Sequence, residues 1–185
     1  MEEVVESAGN ASACSLSDPP TLQNDSDFDW LADTGATSHM TPHRQWMRNY
    51  NEMRVSIKLA DHTIIYSAGI GTVVFNPVVK GKELRSVELT RVLHVPQLRN
   101  NLLACLYLTK RKGFKLEVDD TTMHFKRAGE TLFTARITSQ HTGILNGVTE
   151  PLFEQAGAAA TLPFDINLWH RHLGHHSYAD VQKMI

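Results

Sequence analysis

Asp33 is followed by Thr34, Gly35 and Ala36 and preceded by the apolar run Trp30-Leu31-Ala32. A carboxylate in that setting can serve as half of a proton-sharing pair. Two carboxylates held about 3 Å apart cannot both ionise, so they share one proton. Such a pair holds a water: one carboxylate takes its proton while the other protonates a carbonyl oxygen. Thr34 can hydrogen-bond to its counterpart in the second loop, Gly35 lets backbone approach backbone closely, and Ala36 is small enough to line a cleft. Asp-Thr-Gly alone is also ordinary turn composition, so its surroundings decide between the two readings. The nearest candidate for a second loop in the chain, His141-Thr142-Gly143, lacks the carboxylate. One chain therefore supplies one Asp33, and the chemistry needs a second copy related by a two-fold axis.

Other reactive side chains have plainer readings. Asp61, Asp119 and Asp120 fit turns, Cys105 a helix core, and His39 and His43 the surface after the loop. His170, His172, His175 and His176 cluster near the end of the sequence. Zinc takes about four ligands in tetrahedral array, and no Cys-x-x-Cys follows them, so a solvated helix start is the reading favoured for this chain by itself.

The elements that must position Asp33 are mostly short strands. Residues 1–26 are rich in Ser, Asn, Asp and Pro and read as a disordered N-terminal linker, with order beginning near Phe28. Val55 to Leu59 alternates apolar and polar residues, Asp61-His62 offers a turn, and Ile64-Ile65-Tyr66 returns, a candidate hairpin about thirty residues after Asp33. Gly69 and Gly71 mark a bend or bulge before Thr72 to Phe75, and Lys80-Gly81-Lys82 makes a turn before a strand over Leu84 to Leu89. Val92 to Val95 is an apolar strand stopped by Pro96. A helix is predicted next, capped by Asn100 or Asn101, with Leu102, Leu103, Leu106 and Tyr107 on one face and Gly113 at its left-handed end. Phe114 to Val118, Met123 to Phe125 and Leu132 to Arg136 complete the strands. Residues 139–165 have linker composition, and Leu168 to Ile185 reads as a truncated helical segment.

Composition narrows the classes. The 185 residues are 42% hydrophobic, with 18 basic against 20 acidic side chains. That suits one cored domain plus extensions and gives no long-range field for nucleic acid or membrane. Cys14 and Cys105 match no metal or disulfide spacing, and no apolar run reaches the roughly 18 residues of a membrane span. With no signal-peptide pattern at Met1 to Glu6, a soluble intracellular protein is expected.

In order, the loop at Asp33, the hairpin, the apolar strand, the Asn100-Asn101-Leu102-Leu103 helix and the strand at Gly113-Phe114-Lys115-Leu116 resemble the retropepsins over residues 28–125. Closer still is a resemblance to the Pol polyproteins of copia-type (pseudovirus) LTR retrotransposons. It is carried by the stretches Trp30 to Met40, Lys58-Leu59-Ala60-Asp61, Gly69 to Val73 and Val92 to Leu103, and Leu168 to His175 is similar to the start of that family's integrase.

The resemblance implies an all-β, retropepsin-like closed β-barrel with a catalytic loop, a flap hairpin and one short C-terminal helix. The domain would cover 27–138, followed by a linker or processing region at 139–165 and a truncated integrase zinc-binding region at 166–185. It implies an aspartic endopeptidase that processes the Gag-Pol polyprotein as a homodimer through its catalytic loops. Asp33, Thr34 and Gly35 would be catalytic. Ala36 and Thr37 of the loop, with Leu59, Ala60, Asp61, His62, Thr63 and Ile64 of the flap, would bind substrate. No cofactor is implied for the protease; His170 and His175 would bind zinc only in the full-length polyprotein, and nucleic acid would enter only through the downstream integrase. No membrane partner is implied, and the location would be cytoplasmic, within a virus-like particle. Two positions depart from the pattern. The flap tip at Asp61-His62 has no glycine, and the Arg that directly precedes the helix Asn in retroviral proteases is Asn100 here, with Arg99 one step earlier. A loose, concentration-sensitive dimer is expected from this. The competing class is a catalytically inactive or domesticated module that only dimerises or spaces its neighbours.

Overall fold

The computed structural model describes residues 5–9 and 28–152. Its elements run β1 (Val5–Ala8), β2 (Trp30–Asp33), β3 (Met40–Thr41), β4 (Met47–Glu52), β5 (Ser56–Leu59), β6 (Ile64–Tyr66), β7 (Gly69–Val79) and β8 (Lys82–Glu83). After them come β9 (Val87–His94), β10 (Asn101–Ala104), α1 (Cys105–Lys112), β11 (Lys115–Val118), β12 (Thr122–Arg127), β13 (Glu130–Ile137), β14 (Gly143–Leu145) and β15 (Gly147–Thr149). One short 3-10 turn, Arg44–Trp46, precedes β4.

Two sheets result. The larger follows the order β11-β12-β13-β14-β2-β10-β3-β9-β7-β15, with β4 and β8 also paired to β7; the smaller is β1-β5-β6. At the centre, β2 and β10 run parallel, Leu31 beside Leu102 and Asp33 beside Ala104. Side chains of a strand alternate between faces. Trp30 and Leu103 therefore enter one apolar cluster, while Leu31, Leu102 and Ala104 enter another. Strands buried on both faces read as continuous apolar runs, which is how Leu102-Leu103-Ala104 is written.

The first cluster is aromatic. Phe125 and Phe133, both fully buried, stack with ring centroids 4.5 Å apart, and each contributes about 1.5–3 kcal/mol through burial. Hairpin turns fit their residues: Lys80 (φ 51°) and Gly81 (φ 74°) form the two-residue connection that closes on the Val79–Lys82 pair, a left-handed geometry matching the strand twist. The register shift opposite Gly71 confirms the bulge expected there.

The all-β reading holds, with one short helix, but four expectations need correction. The barrel is not closed: β11 and β15 end the sheet path without pairing to each other. On β11, Lys115 and Val118 are exposed and Glu117 binds Lys115 and Lys126; a charged edge of this kind resists further strand pairing. Second, residues 5–8, expected to be disordered, form β1, because β5 offers a free edge and pairs with it in parallel.

Third, the helix starts later than predicted. Asn101–Ala104 is strand, α1 begins at Cys105, and its N-cap is Ala104 with no side-chain bond, so neither Asn caps it. Instead Asn101 joins β2 to β3, accepting from Thr41 Oγ1 (2.7 Å) and donating to the Asp29 carbonyl (3.0 Å). Gly113 does take the left-handed position after the helix (φ 68°).

Fourth, residues 143–149, expected to be linker, are β14 and β15. β14 pairs with β2 and β13, and β15 pairs with β7. The glycine content that suggests a linker reflects close packing instead: a Cβ on Gly143 would lie 2.5 Å from Met123 Sδ and 3.1 Å from Ala32 Cβ. The strand expected over Leu84 to Leu89 is β9, Val87–His94, continuous with the apolar stretch after it. Residues 153–165 of the linker, the segment 166–185 with His170 and His175, and most of the N-terminal linker lie outside the described residues.

Candidate active site

Asp33 is the last residue of β2, and its side chain is held before the chain turns. Its parallel neighbour is Ala104 of β10, and the residue is 8% exposed. The Gly35 N–H donates to Asp33 Oδ1 at 2.6 Å, a charge-assisted bond that fixes the carboxylate against its own loop. Thr34 and Gly35 are exposed on that loop, while Ala36 is buried.

The far end of the loop is anchored by a residue expected at the surface. His39 is 1% exposed; its Nδ1 accepts from the Ala104 N–H at 3.0 Å, and its carbonyl accepts from the Leu93 N–H at 2.8 Å. The Tyr107 ring stands edge-on 5.2 Å away. Burial, helped by the charge of Lys112, lowers its pKa to about 3, so the ring is neutral and acts as an acceptor. Ala104 thus neighbours Asp33 through the ladder and His39 through a side chain, and both ends of the loop meet on β10. His43, also expected at the surface, is buried against Trp46 with ring centroids 4.1 Å apart.

Cys105, one residue beyond Ala104, is buried as expected of a core residue. Burial and the nearby Asp33 charge push its thiol up to about 12, which removes thiolate chemistry near neutral pH.

The hairpin β5–β6 shares an apolar cluster with the loop. Ile57, Leu59 and Ile65 share a buried cluster with Ala36 and Ala104. At its tip the Leu59 N–H donates to the Thr63 carbonyl (2.9 Å) and the His62 N–H to the Leu59 carbonyl (3.0 Å). His62 adopts a positive φ of 69°. Asp61 Oδ1 accepts the Thr63 N–H at 2.9 Å, and that bond holds its carboxyl below the usual range. Ala60, Asp61, His62, Thr63 and Ile64 are exposed. Of the residues singled out for substrate, then, the fold gathers Ala36 and Leu59 beside the Asp33 loop and leaves Ala60 to Ile64 at an exposed tip.

Thr37 has partners that sequence reasoning missed. Its N–H donates to the Ser7 carbonyl (3.0 Å), and its Oγ1 accepts the Ser7 N–H (2.7 Å) and donates to Glu6 Oε2. β1 therefore lies between the loop and β5. Its only sequence signal is Val4-Val5, then Glu6 and the small residues Ser7, Ala8 and Gly9, too short to stand out from the polar segment around it. For His39 nothing in the sequence distinguishes an anchoring imidazole from a surface one.

Residues 30–114 match the family described as Pol polyprotein, beta-barrel domain. This supports a Pol-type polyprotein. The matched segment opens with β2 and closes just after α1, so it contains the Asp33 loop, the hairpin and the strands that carry both; β1 and β11 to β15 lie outside it. No curated protein and no solved structure matches the chain. Among the described residues no group of three or more His, Cys, Asp or Glu side chains is arranged to hold a metal ion, and no helix is long and apolar enough to cross a membrane.

Proposed function

We infer that this region of a Pol polyprotein is a retropepsin-like aspartic endopeptidase of the copia type, active as a homodimer and directed at Gag-Pol peptide bonds. The observation that carries the reading is the Asp33 carboxylate, gripped by the Gly35 N–H on a loop whose Thr34 and Gly35 are exposed and whose Ala36 shares a cluster with the β5–β6 hairpin. Exposed loop residues beside a nearly buried carboxylate suit a contact in which a second copy brings its own Asp33 alongside. The two carboxylates share one proton. The ionised one takes a proton from a water, whose oxygen attacks the scissile carbonyl carbon while the protonated partner donates to the carbonyl oxygen. Collapse of the tetrahedral intermediate breaks the C–N bond, and the amine leaves with a proton. Closure of the hairpin excludes bulk water.

Dilution tests the dimer. Specific activity should fall faster than linearly as chain concentration drops, because the active population follows mass action. Adding excess Asp33→Asn chain to wild type should poison activity, since mixed dimers hold one ionisable aspartate. Flat specific activity on dilution, with sedimentation showing a monomer, sinks the two-chain site. No proteolysis by wild type at any concentration leaves the non-catalytic spacer as the function.

A further inference from the structure

The space between β5 and the Asp33 loop is already occupied, by the chain itself. Val5, Glu6, Ser7 and Ala8 pair in parallel with Ser56, Ile57, Lys58 and Leu59. Along the other edge of the same strand, the Thr37 main chain and hydroxyl bind Ser7 and Glu6. A strand hydrogen-bonded on both edges by a hairpin and a catalytic loop is held as an extended peptide ligand is held in strand addition. Ala8 is fully buried, packed in the cluster that contains Ala36, Ile57 and Leu59. Gly9 then reaches the catalytic loop: a Cβ built on it would lie 3.0 Å from Gly35 Cα, 3.2 Å from the Gly35 carbonyl carbon and 3.4 Å from Asp33 Oδ1. The nearest of these atoms are backbone, which no rotamer change can move aside, so a side chain here requires the segment or the loop to shift.

We propose that the groove between β5 and residues 35–37 is a peptide-binding site, that Val5–Gly9 is its ligand in cis, and that this segment defines the peptide class it takes. The ligand runs parallel to β5. It places a small apolar residue against Ala36 and Leu59, glycine over Gly35 and Asp33, and, two residues before the alanine, a carboxylate acceptor for the Thr37 hydroxyl. This rests on the reading of Asp33 as catalytic only in naming the groove a substrate cleft; binding itself is independent of turnover.

The test uses full-length chain carrying Asp33→Asn, so that nothing is hydrolysed, and a fluorescent peptide of sequence Val-Val-Glu-Ser-Ala-Gly-Asn. In this background the cis segment competes at the high effective concentration of a tethered ligand, and binding in trans should be weak. Adding Gly9→Val to the chain dislodges the segment without touching the aromatic core, and the peptide should then bind at least about tenfold more tightly. A peptide with Val in place of its Gly should not compete. Amide exchange at Thr37, whose N–H donates to the Ser7 carbonyl, should accelerate in the Gly9→Val chain and slow again when peptide is added. Equal affinity for both chains, or equal binding of the Gly and Val peptides, overturns the proposal. Peptide binding with no proteolysis by the wild-type chain would overturn the endopeptidase reading and leave this one standing; proteolysis without peptide binding would do the reverse.

Discussion

The two apolar clusters on either side of β2 and β10 are built from different side chains. One holds Trp30, Trp46, Phe75, Phe114, Phe125 and Phe133. None of the buried members of the other is aromatic, and three of them, Ala8, Ala36 and Ala104, carry only a methyl group. Aromatic rings fill large fixed volumes and set a shape. Alanines bring main chains close, which a groove for a peptide needs. Asp33 sits at the boundary, on a strand whose Trp30 serves the first cluster and whose Leu31 packs on the second. Stability and chemistry should therefore separate along this line, and substitutions can test whether they do.

The largest effect should come at the boundary. Asp33→Asn keeps size and the Gly35 bond but removes the ionisable group, so proteolysis should disappear into background while the melting temperature stays within a few degrees of wild type. Cleavage at a substantial fraction of the wild-type rate would take Asp33 out of the mechanism. Phe133→Ala reverses the pattern. Emptying that position should cost about 3–5 kcal/mol, read as a lower urea midpoint, while the folded fraction keeps its cleavage rate. A large drop in rate per folded molecule would mean the aromatic side shapes the site after all.

These regions also differ in how far the sequence disclosed them. The Asp33 loop, the hairpin with its turn at Asp61-His62 and the left-handed Gly113 were readable because each depends on residues near one another in the chain. Leu106 and Tyr107 are helical as expected, but Leu102 and Leu103 misled because a strand buried on both faces has no alternation, and a short apolar run fits helical spacing equally well. Gly143 and Gly147 look like linker residues until Met123 and Asn76 are brought against them from distant strands. The placement of β1 was hidden for the same reason, since its partners, Thr37 and β5, lie some 30 to 50 residues further on. Non-local pairing decided each case.

An intermediate effect is expected from pH. His39 has a folded-state pKa near 3 against an ordinary 6.5. The unfolded chain therefore binds this proton more readily than the folded one, and stability from the neutral, buried ring is complete above pH 6.5. It is lost as pH falls from there towards 3, at up to about 1.4 kcal/mol per pH unit. Because this ring ties the loop to β10, the acid limb of activity should track unfolding as well as titration of the aspartate pair. His39→Gln, which keeps an acceptor but does not titrate in this range, should flatten the acid limb of stability; an unchanged limb would assign it to other groups.

The smallest effect lies at the end of α1, the element that touches both clusters through Leu108 and Tyr107. Gly113 stops the helix in the left-handed region at φ 68°, with its N–H bonded to the Leu108 carbonyl, and a Cβ added there would meet nothing within 4 Å. With no contact to lose or clash to relieve, Gly113→Ala isolates the backbone cost of a left-handed L-residue, about 1 kcal/mol. Asn tolerates that conformation better, so Gly113→Asn should cost less than the alanine variant. Both should lower the urea midpoint without changing the slope of the transition. Neither should alter the cleavage rate proposed for the folded chain, because the helix end meets the rest of the fold on the stability side of the boundary. If Gly113→Ala instead slows cleavage several-fold with an unmoved midpoint, α1 transmits strain through Ala104 to the Asp33 loop, and the two regions do not act separately.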